Sequence, residues 1–381
     1  MTTDFSIAEL SRYARHFALP EFGETGQLRL KNASVLVVGA GGLGCPMLLY
    51  LAAAGVGKIG IVDADCVDDS NLQRQILYTV ADIGKPKVVA ARERLLALNP
   101  HIKIAVFPTN LTSENALELV AQFDIVADGT DNFPTRYLVN DACILAGKPN
   151  VYASIFRFEG QVAVFNFLEK TGERSPNYRD LFPVPPPAGL IPDCAEGGVL
   201  GVLPGIIGAL QASEVIKILA QVGEPLVGRL FIFDAATFTM RTMKFKKNPT
   251  VEPITQLIDY QLFCGIVPPQ SPRKGEEGLK EMSVFDLKKM MENGADFQLV
   301  DVREPYEYAV QNLGGTSVPL SILREKLDLI SRNKQIVVHC KSGARSRRAI
   351  EQLKKLGFQN LWNLTGGMDE FEEYRISNKE F

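Results

Sequence analysis

The chain has 381 residues, 46% of them hydrophobic and 22% charged, a composition typical of a globular protein with two or three domains. Its 41 basic and 44 acidic side chains give a net charge of −3, so no basic surface points to a nucleic-acid partner. The N-terminus lacks the basic and apolar segments of a signal peptide, and no apolar run is long enough to span a bilayer. We therefore expect a cytoplasmic protein with no membrane partner.

The first half of the chain predicts alternating strands and helices. A capping box at Ser6 and Glu9 opens a helix that runs to about Leu19. Strands are then predicted at 34–38, 59–63, 102–107 and 125–127, and helices at 45–54, 87–98, 113–122 and 134–146. This alternation is typical of a mostly parallel, Rossmann-like sheet with crossover helices. Extended runs at 151–155 and 161–167, a helix at 205–222, and strands at 229–234 and 239–245 follow.

Two segments interrupt these patterns. Residues 169–198 contain six prolines and predict a long loop without regular structure, which is commonly functional. Residues 248–278 are rich in proline, glycine and charge, as interdomain linkers are. A new α/β pattern follows, with helices at 284–293, 345–356 and 368–374 and strands at 298–302, 335–339 and 360–364. We therefore predict a first domain at 1–248, a linker at 249–282 and a small second domain at 283–381.

A glycine-rich turn joins the first predicted strand to a helix. Its glycines are Gly39, Gly41, Gly42 and Gly44, and they allow backbone amides to approach phosphate oxygens at the N-terminus of the helix. Asp63 ends the next strand, where a carboxylate can accept hydrogen bonds from ribose hydroxyls. These features predict a nucleotide site, and taken alone they suit a nicotinamide dehydrogenase.

Polar residues further along the chain favour a triphosphate instead. Asn71, Arg74 and Gln75 follow the second strand, Lys87 opens the next helix, and Asp131 follows the strand at 125–127. Because parallel sheets bind ligands at the carboxyl ends of their strands, these side chains are expected to meet. Two cations and a carboxylate suit ATP with Mg²⁺ better than an uncharged nicotinamide ring.

The chain resembles a known family over about residues 8–248. The resemblance lies in the motifs at 12–15, 39–44, 71–75, 84–87 and 128–132, which are similar to those of the ThiF/MoeB adenylyltransferases, relatives of ubiquitin-activating enzymes. It implies that Asp63 binds the ribose, that Asn71, Arg74 and Lys87 contact the phosphates, and that Asp131 holds Mg²⁺. It also implies a homodimer in which Arg15 reaches into the neighbouring subunit's ATP site.

The same resemblance implies the reaction and its substrate. The C-terminal glycine carboxylate of a ubiquitin-like sulfur carrier of the MoaD/ThiS type would attack the α-phosphate of ATP and release pyrophosphate. Electrostatic neutralisation of the phosphates would supply most of the catalysis. A Gly-Gly tail is thin enough to enter a narrow channel.

The sequence departs from the family at its zinc site. Many members bind structural zinc through two Cys-x-x-Cys pairs, but the matching segments here, 176–180 and 248–253, contain no cysteine. The six cysteines are scattered with no metal-ligand spacing. We therefore expect no zinc, with the hydrophobic core alone closing this edge.

Cys194 lies near the end of the proline-rich loop, ahead of the apolar helix. A thiol near a helix N-terminus can have a lowered pKa and act as a nucleophile. Its segment resembles that of the family's cysteine that forms a thioester or persulfide link to the carrier. The alternative, a small apolar residue that anchors the loop, stays open.

Cys340 follows a predicted strand and begins a short loop into a helix, with Arg345 five residues on. Loop amides at a helix N-terminus, together with the arginine charge, would stabilise a thiolate and then a persulfide. The alternative is a buried cysteine at a strand end. With the motifs at 301–304 and 364–368, the segment 283–376 resembles a rhodanese domain, and its Cys-x4-Arg spacing is that of sulfurtransferases rather than of related phosphatases. The run at 312–315 departs from the family pattern, which we expect to affect packing.

Together these features predict an ATP-dependent adenylyltransferase joined to a sulfurtransferase, with a cysteine desulfurase or another protein as sulfur donor. A nicotinamide dehydrogenase, a scaffold with a rhodanese-like binding domain, and a tRNA-modifying dehydratase of the same superfamily are the open alternatives. Molybdopterin, thiamine, tRNA-thiolation and secondary-metabolite pathways all remain possible settings.

Overall fold

The computed structural model describes residues 4–186, 198–265 and 279–377. The chain divides into two compact units, residues 1–268 and 269–381. Each unit has its own sheet and its own hydrophobic core.

The first unit is an α/β structure built around an eight-stranded sheet. Its helices are α1 (Ile7–Arg12), α2 (Ala14–Phe17), α3 (Gly23–Asn32), α4 (Gly44–Ala54), α5 (Lys87–Leu98), α6 (Ala116–Ala121), α7 (Phe133–Leu145), α8 (Tyr178–Leu181), α9 (Leu203–Ala220) and α10 (Tyr260–Phe263). Its strands are β1 (Ser34–Val38), β2 (Lys58–Val62), β3 (Lys103–Phe107), β4 (Ile125–Asp128), β5 (Asn150–Phe156), β6 (Glu159–Phe165), β7 (Arg229–Asp234) and β8 (Thr239–Lys244).

The strand order is β3-β2-β1-β4-β5-β6-β7-β8. The strands from β3 to β5 pair in parallel, and those from β5 to β8 pair antiparallel. In β1, Val35 and Val37 pack into one core cluster while Leu36 and Val38 pack into the other, as the two-residue period of a strand requires. Helices therefore cover both faces, which confirms the predicted mostly parallel sheet.

The order of the parallel strands reverses between β1 and β4. Such a switch point leaves a crevice at the carboxyl ends of the strands, because the connections leave the two strands in opposite directions. The segments that follow β1, β2 and β4 carry most of the residues singled out from the sequence. The topology therefore places the predicted nucleotide site at this crevice.

Three differences from the sequence predictions have local causes. The first predicted helix is broken at Tyr13, whose side chain is buried and accepts a hydrogen bond from Asn99 Nδ2 at 2.9 Å. The loop at 169–198 contains the short helix α8, which Asn177 and Asp180 cap. Residues 249–265, predicted as linker, belong to the first unit because Tyr260 and Cys264 are buried in its core.

Helix α9 is the one helix among the described residues that is long and apolar enough to cross a bilayer. Leu203, Ile207, Ala212 and Val215 on this helix are buried inside the unit. The helix packs against α4 and against β5 and β6. Its apolar residues are therefore explained by its place in the core, against the sheet.

The second unit is a smaller parallel α/β structure. It contains β9 (Lys280–Met282), α11 (Val284–Glu292), β10 (Phe297–Asp301), α12 (Pro305–Val310), β11 (Thr316–Ser317), β12 (Gln335–His339), α13 (Ala344–Lys355), β13 (Leu361–Leu364) and α14 (Gly367–Ser377). The five strands lie in the order β11-β10-β12-β13-β9, and every pairing is parallel. The sequence did not predict β9, α12 or β11, because such short elements carry too little periodicity.

Candidate nucleotide and persulfide sites

A cavity of about 330 Å³ opens where β1, β2 and β4 end. Eight of the ten residues predicted to bind the nucleotide line it, namely Gly39, Gly41, Gly42, Asp63, Arg74, Gln75, Lys87 and Asp131. The apolar wall includes Ile155 and Val199. Motifs that are far apart in the sequence thus share one cavity, as their places at the ends of parallel strands predict.

The glycine turn is required by close backbone contacts. Gly39 has a φ of +93°, and a Cβ added there would lie 2.9 Å from the carbonyl oxygen of Gly129. A Cβ on Gly44 would overlap the carbonyl oxygen of Gly39. Gly44 does not line the cavity. Its lack of a side chain lets α4 begin directly behind the turn. This leaves the backbone of the turn open to the cavity.

The carboxylate of Asp63 is held at the cavity edge by two backbone amides. Oδ2 accepts the N–H of Ala40 at 2.8 Å, and Oδ1 accepts the N–H of Asp65 at 2.9 Å. Burial raises the pKa of Asp63, although the charge of Lys87 and both amides oppose that rise. Each oxygen keeps a further lone pair, so the side chain can still accept a ribose hydroxyl.

Lys87 is buried at the start of α5, yet its ammonium group has a partner at the surface. Its Nζ lies 2.7 Å from Oδ2 of Asp65, whose side chain is 71% exposed, while that of Lys87 is only 6% exposed. The Lys87 N–H also donates to the carbonyl of Asp65 at 2.8 Å. A phosphate in the cavity would therefore compete with an exposed carboxylate for a cation that the fold already holds in place.

Gln75 connects the cavity to Asn71. Its Nε2 donates to Asn71 Oδ1 at 3.0 Å, while its buried Oε1 has no hydrogen-bond partner among the described residues. Asn71 is not among the residues that line the cavity and it supports Gln75, so its contact with the phosphates stays a prediction. Arg74, on the same turn, does line the cavity and donates to the carbonyl of Ser70 at 3.2 Å.

A buried acid, Asp128, and a buried arginine, Arg136, lie next to Thr130 of the cavity lining. The carboxylate of Asp128 is fully buried, and its Oδ1 accepts both the N–H and the hydroxyl of Thr130, at 3.0 and 2.6 Å. Burial raises the pKa of Asp128, although the positive charge of Arg136 lowers it in part. Arg136 is itself buried, donates to the carbonyl of Thr130 at 3.0 Å and lines the cavity. Its guanidinium carbon lies 5.2 Å from the centroid of the Tyr152 ring.

Asp131 is exposed at the cavity. Residues 4–186, 198–265 and 279–377 contain no group of three or more His, Cys, Asp or Glu side chains that could hold a metal ion. Mg²⁺ at Asp131 would therefore take most of its ligands from phosphate oxygens and water, which is how this ion is commonly bound with nucleotides. Asp63 and Asp65 also line the cavity, but the first accepts two backbone N–H groups and the second pairs with Lys87, so Asp131 is the carboxylate that best fits such an ion.

The sequence also predicted Arg15 and Cys194 as site residues. Arg15 is on α2, where it is exposed and does not line the cavity of its own chain. Cys194 falls outside the described residues. Neither role assigned to these residues from the sequence is decided by the geometry of the described chain.

Cys340 begins the loop that connects β12 to α13, and its side chain is buried. Its Sγ accepts the N–H of Gly343 at 3.1 Å and faces the hydroxyl of Ser346 at 3.5 Å. Ser346 in turn donates to Asn363 Oδ1 at 2.6 Å. The sulfur therefore lies at the start of α13 with the Gly343 amide as its closest donor, while the single hydroxyl proton of Ser346 has its shortest contact with Asn363.

The start of α14 covers the back of this loop. The N–H groups of Met368 and Asp369 donate to the carbonyls of Cys340 and Lys341, both at 3.0 Å. Gly367 has a φ of +58°, and a Cβ there would overlap the Cys340 carbonyl oxygen. The glycines of the motif at 364–368 thus let α14 approach the loop closely and turn its carbonyls away from the sulfur.

Arg345 is paired with a carboxylate on a neighbouring helix. Its two terminal nitrogens donate to the two oxygens of Glu307 at 2.6 and 2.8 Å. Burial would raise the pKa of Glu307, but hydrogen bonds from Arg345 and from the N–H of Glu304 leave it lowered. The positive charge predicted for this loop is therefore offset by Glu307, which the sequence did not single out.

His339 lies directly before Cys340 and is fully buried. Neither ring nitrogen has a hydrogen-bond partner among the residues described, and Nε2 lies 3.7 Å from Asp301 Oδ2. Burial lowers the pKa of His339 to about 4. Asp301 is committed to Arg303, with three side-chain bonds between 2.6 and 3.0 Å. The histidine is thus neutral near neutral pH.

Comparisons with known proteins identify both units. A profile of the ThiF family matches residues 13–253, and a profile of the rhodanese-like domain matches residues 283–374. The chain belongs to the ThiF family. Over 366 residues it is 45% identical to the probable adenylyltransferase/sulfurtransferase MoeZ of Mycobacterium tuberculosis, covering 95% of this chain and 93% of that protein.

Two other relatives agree with this assignment. Adenylyltransferase and sulfurtransferase MOCS3 of Sus scrofa is 43% identical over 378 residues, 91% of this chain and 81% of its own. A sulfur carrier protein adenylyltransferase of Thermus thermophilus is 53% identical over 264 residues, covering 68% of this chain and 97% of that protein. This ThiF protein is therefore an enzyme, an adenylyltransferase and sulfurtransferase, and the dehydrogenase and scaffold alternatives are excluded.

Among solved structures, a crystal structure of MccB from E. coli matches with a TM-score of 0.56 at 22% identity. The match covers 69% of this chain and 76% of that chain. At this identity it shows the fold of the ThiF unit alone.

The zinc segments of the ThiF family are joined here by hydrogen bonds. Asp180 Oδ1 accepts the N–H of Asn248 at 2.8 Å, and its Oδ2 accepts the N–H of Asn177 at 2.7 Å. Neither segment contains a cysteine or a histidine, and their shared carboxylate, Asp180, is engaged by backbone N–H donors, so these residues do not fit the metal. The expectation that the core alone closes this edge omitted this polar connection.

An ion pair and a tyrosine hydroxyl extend the connection to residue 260. Arg179 donates two bonds to Asp141, at 2.9 and 2.6 Å, and the Tyr260 hydroxyl donates to Asp141 Oδ2 at 2.7 Å. Tyr178 N–H donates to Asn140 Oδ1 at 2.8 Å. These bonds attach the segment after β8 to α7 and α8.

Sequence reasoning missed Asp65, Arg136 and Glu307. Arg136 lies one helical turn beyond Asn132 and could have been suspected from that spacing; Asp65 and Glu307 carried no signal beyond their charge. The unusual run at 312–315 does act in packing, as expected, because a Cβ on Gly315 would lie 2.7 Å from the carbonyl oxygen of Leu299.

Proposed function

We propose that the protein adenylylates the C-terminal glycine of a ubiquitin-like sulfur carrier of the MoaD/ThiS type and then supplies sulfur from Cys340 to make a thiocarboxylate. The observation that carries this proposal is the cavity itself. The glycine turn, Arg74, Lys87 and Asp131 all line it, so phosphate ligands from four separate segments converge. The name of the Thermus thermophilus relative supports a sulfur carrier as the substrate.

In this proposal each side chain has a defined role. Asp63 accepts a ribose hydroxyl, Arg74 and Lys87 neutralise the phosphates, and Asp131 holds Mg²⁺. The carrier's terminal carboxylate oxygen attacks the α-phosphorus, and pyrophosphate leaves with the bonding electron pair. The fixed cations lower the barrier because the charge on the phosphates is neutralised without reorganisation of the protein.

Sulfur transfer would follow on the same acyl group. The terminal sulfur of a Cys340 persulfide attacks the carrier's carbonyl carbon and displaces AMP. A thiol then attacks Cys340 Sγ, which releases the carrier as a thiocarboxylate and leaves Cys340 in a mixed disulfide with that thiol. A second thiol attacks the mixed disulfide, forms a new disulfide with the first thiol and frees Cys340 as a thiolate. The amide of Gly343, which donates to Cys340 Sγ, supports the negative charge on that sulfur. A cysteine desulfurase or another persulfide protein would reload Cys340.

Two roles rest on the family resemblance. Arg15, exposed on α2, would complete the ATP site of a second copy in a homodimer. Cys194 would hold the carrier through a thioester or persulfide link. We assign Asn71 to the support of Gln75.

The test is ATP–pyrophosphate exchange in the presence of candidate carriers that end in Gly-Gly, followed by intact mass measurement of each carrier. A carrier adenylate, and a thiocarboxylate when a sulfur donor is added, are the expected products. Carriers truncated by their last glycine are the matched control. Exchange that is absent with every carrier, or equal with the truncated ones, contradicts the proposal.

A further inference from the structure

Glu307 pairs with the arginine that the Cys-x4-Arg spacing brings to the Cys340 loop. The Arg345 guanidinium faces the Glu307 carboxylate with two short hydrogen bonds, and both side chains are largely covered, 14% and 17% exposed. A bidentate pair of this kind is among the stronger side-chain contacts in proteins. The arginine that the Cys-x4-Arg spacing supplies is therefore engaged before any donor arrives.

Two classes of sulfur donor differ in the leaving group that the Cys340 loop must stabilise. With thiosulfate, the Cys340 thiolate attacks the outer sulfur, the S–S bond breaks, and sulfite leaves with the electron pair and two negative charges. With a thiol persulfide, the same attack expels a thiolate that carries one charge and no oxygen atoms. A guanidinium fork matches the oxygens of a sulfonate group and has no comparable match to a thiolate.

We propose that Glu307 is a specificity-determining residue, which holds Arg345 away from oxyanion donors and so favours thiol persulfides as the sulfur source for Cys340. The inference rests on the proposed sulfurtransferase step and adds the residue that selects its donor. A carboxylate beside the loop repels an arriving dianion and also fills the two N–H positions that would bind it.

The position of Glu307 makes a conservative test possible. Glu307 lies on α12, and its side chain also accepts the N–H of Glu304 at 2.9 Å in the capping box of that helix. Glutamine keeps the size of the side chain and a carbonyl oxygen for this cap, but it removes the charge. Glu304 takes part in the same capping box, so Glu304→Gln removes one charge from the same helix as a matched control.

The experiment compares Glu307→Gln, Glu304→Gln and the unmodified full chain with two donors. Inorganic thiosulfate is assayed with cyanide as acceptor, and glutathione persulfide is assayed by the gain of one sulfur on Cys340 in intact mass. We expect kcat/KM for thiosulfate to rise about tenfold in Glu307→Gln, mainly through a lower KM, while persulfide transfer stays within about twofold. Fluorescence of Trp362, the sole tryptophan, reports folding of the rhodanese unit.

An unchanged KM for thiosulfate in a folded Glu307→Gln protein overturns the inference, as does an equal change for both donors. The same gain in Glu304→Gln overturns it too, because helix charge alone would then explain the effect. If the unmodified protein takes sulfur from neither donor, the proposed sulfurtransferase step itself fails. Failure of the inference and failure of the proposed function are thus separate results.

Discussion

The nucleotide cavity and the Cys340 loop both form where a buried parallel strand turns into a helix, but they hold their cations differently. Lys87 pairs with Asp65, a carboxylate that is 71% exposed, so a phosphate can replace it. Arg345 pairs with Glu307, and both side chains are largely covered. The same strand–loop–helix arrangement thus holds its cation in two ways. In the adenylyltransferase unit Lys87 can exchange its carboxylate for a phosphate, whereas in the rhodanese unit Arg345 stays paired with Glu307.

The largest expected effects separate the two sites. Lys87→Ala should lower ATP–pyrophosphate exchange by about 10²–10³, since a positioned charge is lost, and leave persulfide loading of Cys340 unchanged. Cys340→Ser should abolish loading and leave exchange intact. Both activities are measured on both variants. Lys85→Ala, which removes an exposed lysine two residues away, is the control and should stay within about twofold of the parent. Equal losses of both activities in either variant would contradict the division of labour.

The buried His339 should make the rhodanese unit acid-sensitive. Its pKa is about 4 in the fold against 6.5 in the unfolded chain. Between these values the unfolded state binds a proton that the folded state does not. The free energy of unfolding therefore falls as pH drops from 6.5 to 4, by about 3 kcal/mol at about 1.4 kcal/mol per pH unit.

The measurement is denaturant unfolding followed by Trp362 fluorescence at several pH values. His339→Leu cannot titrate and should flatten the slope within this window relative to the parent protein. Carboxylates contribute equally to both proteins, so the difference isolates the histidine. Identical slopes for the two proteins would show that protonation of His339 does not destabilise this unit.

A smaller effect, on stability, is expected from the hydrogen bonds that join segments 176–180 and 248–253 of the first unit. Asp180→Ala removes the acceptor of the Asn248 and Asn177 N–H groups and should cost about 1–3 kcal/mol. For a unit of this size the melting temperature should fall by about 2–4 °C per kcal/mol. A metal chelator should leave the melting temperature of the parent protein unchanged. A chelator effect as large as that of the substitution would instead indicate a bound metal.

The smallest effect tests whether Lys87 is exchangeable. In Asp65→Asn the carboxylate no longer competes with phosphate, so KM for ATP should fall by about threefold while kcat stays constant. Asp69→Asn, in the same exposed acidic run, is the control. A higher KM for ATP in Asp65→Asn would show that Asp65 orients Lys87 rather than competing for it.

Most of the first sheet and of its cavity could be predicted because the signals are local. The strands at 34–38 and 229–234 and the helix at 87–98 have the predicted bounds, since alternation and helical periodicity extend to their ends. Short elements such as α8 and β11 were missed for lack of a period. The break at Tyr13 was also missed, because it depends on burial of that ring against Asn99, 86 residues away.

The sequence by itself determined the class of the fold and eight of the residues that line the nucleotide cavity. Glycine turns and strand ends are local features, and parallel strands bring their carboxyl ends to one edge. Only the tertiary structure decided which partner each charged side chain pairs with. Asp65 with Lys87 spans 22 residues, Glu307 with Arg345 spans 38, and Asp180 with Asn248 spans 68. Such pairs depend on how helices and loops pack across the sheet, a geometry that no local pattern of residues encodes.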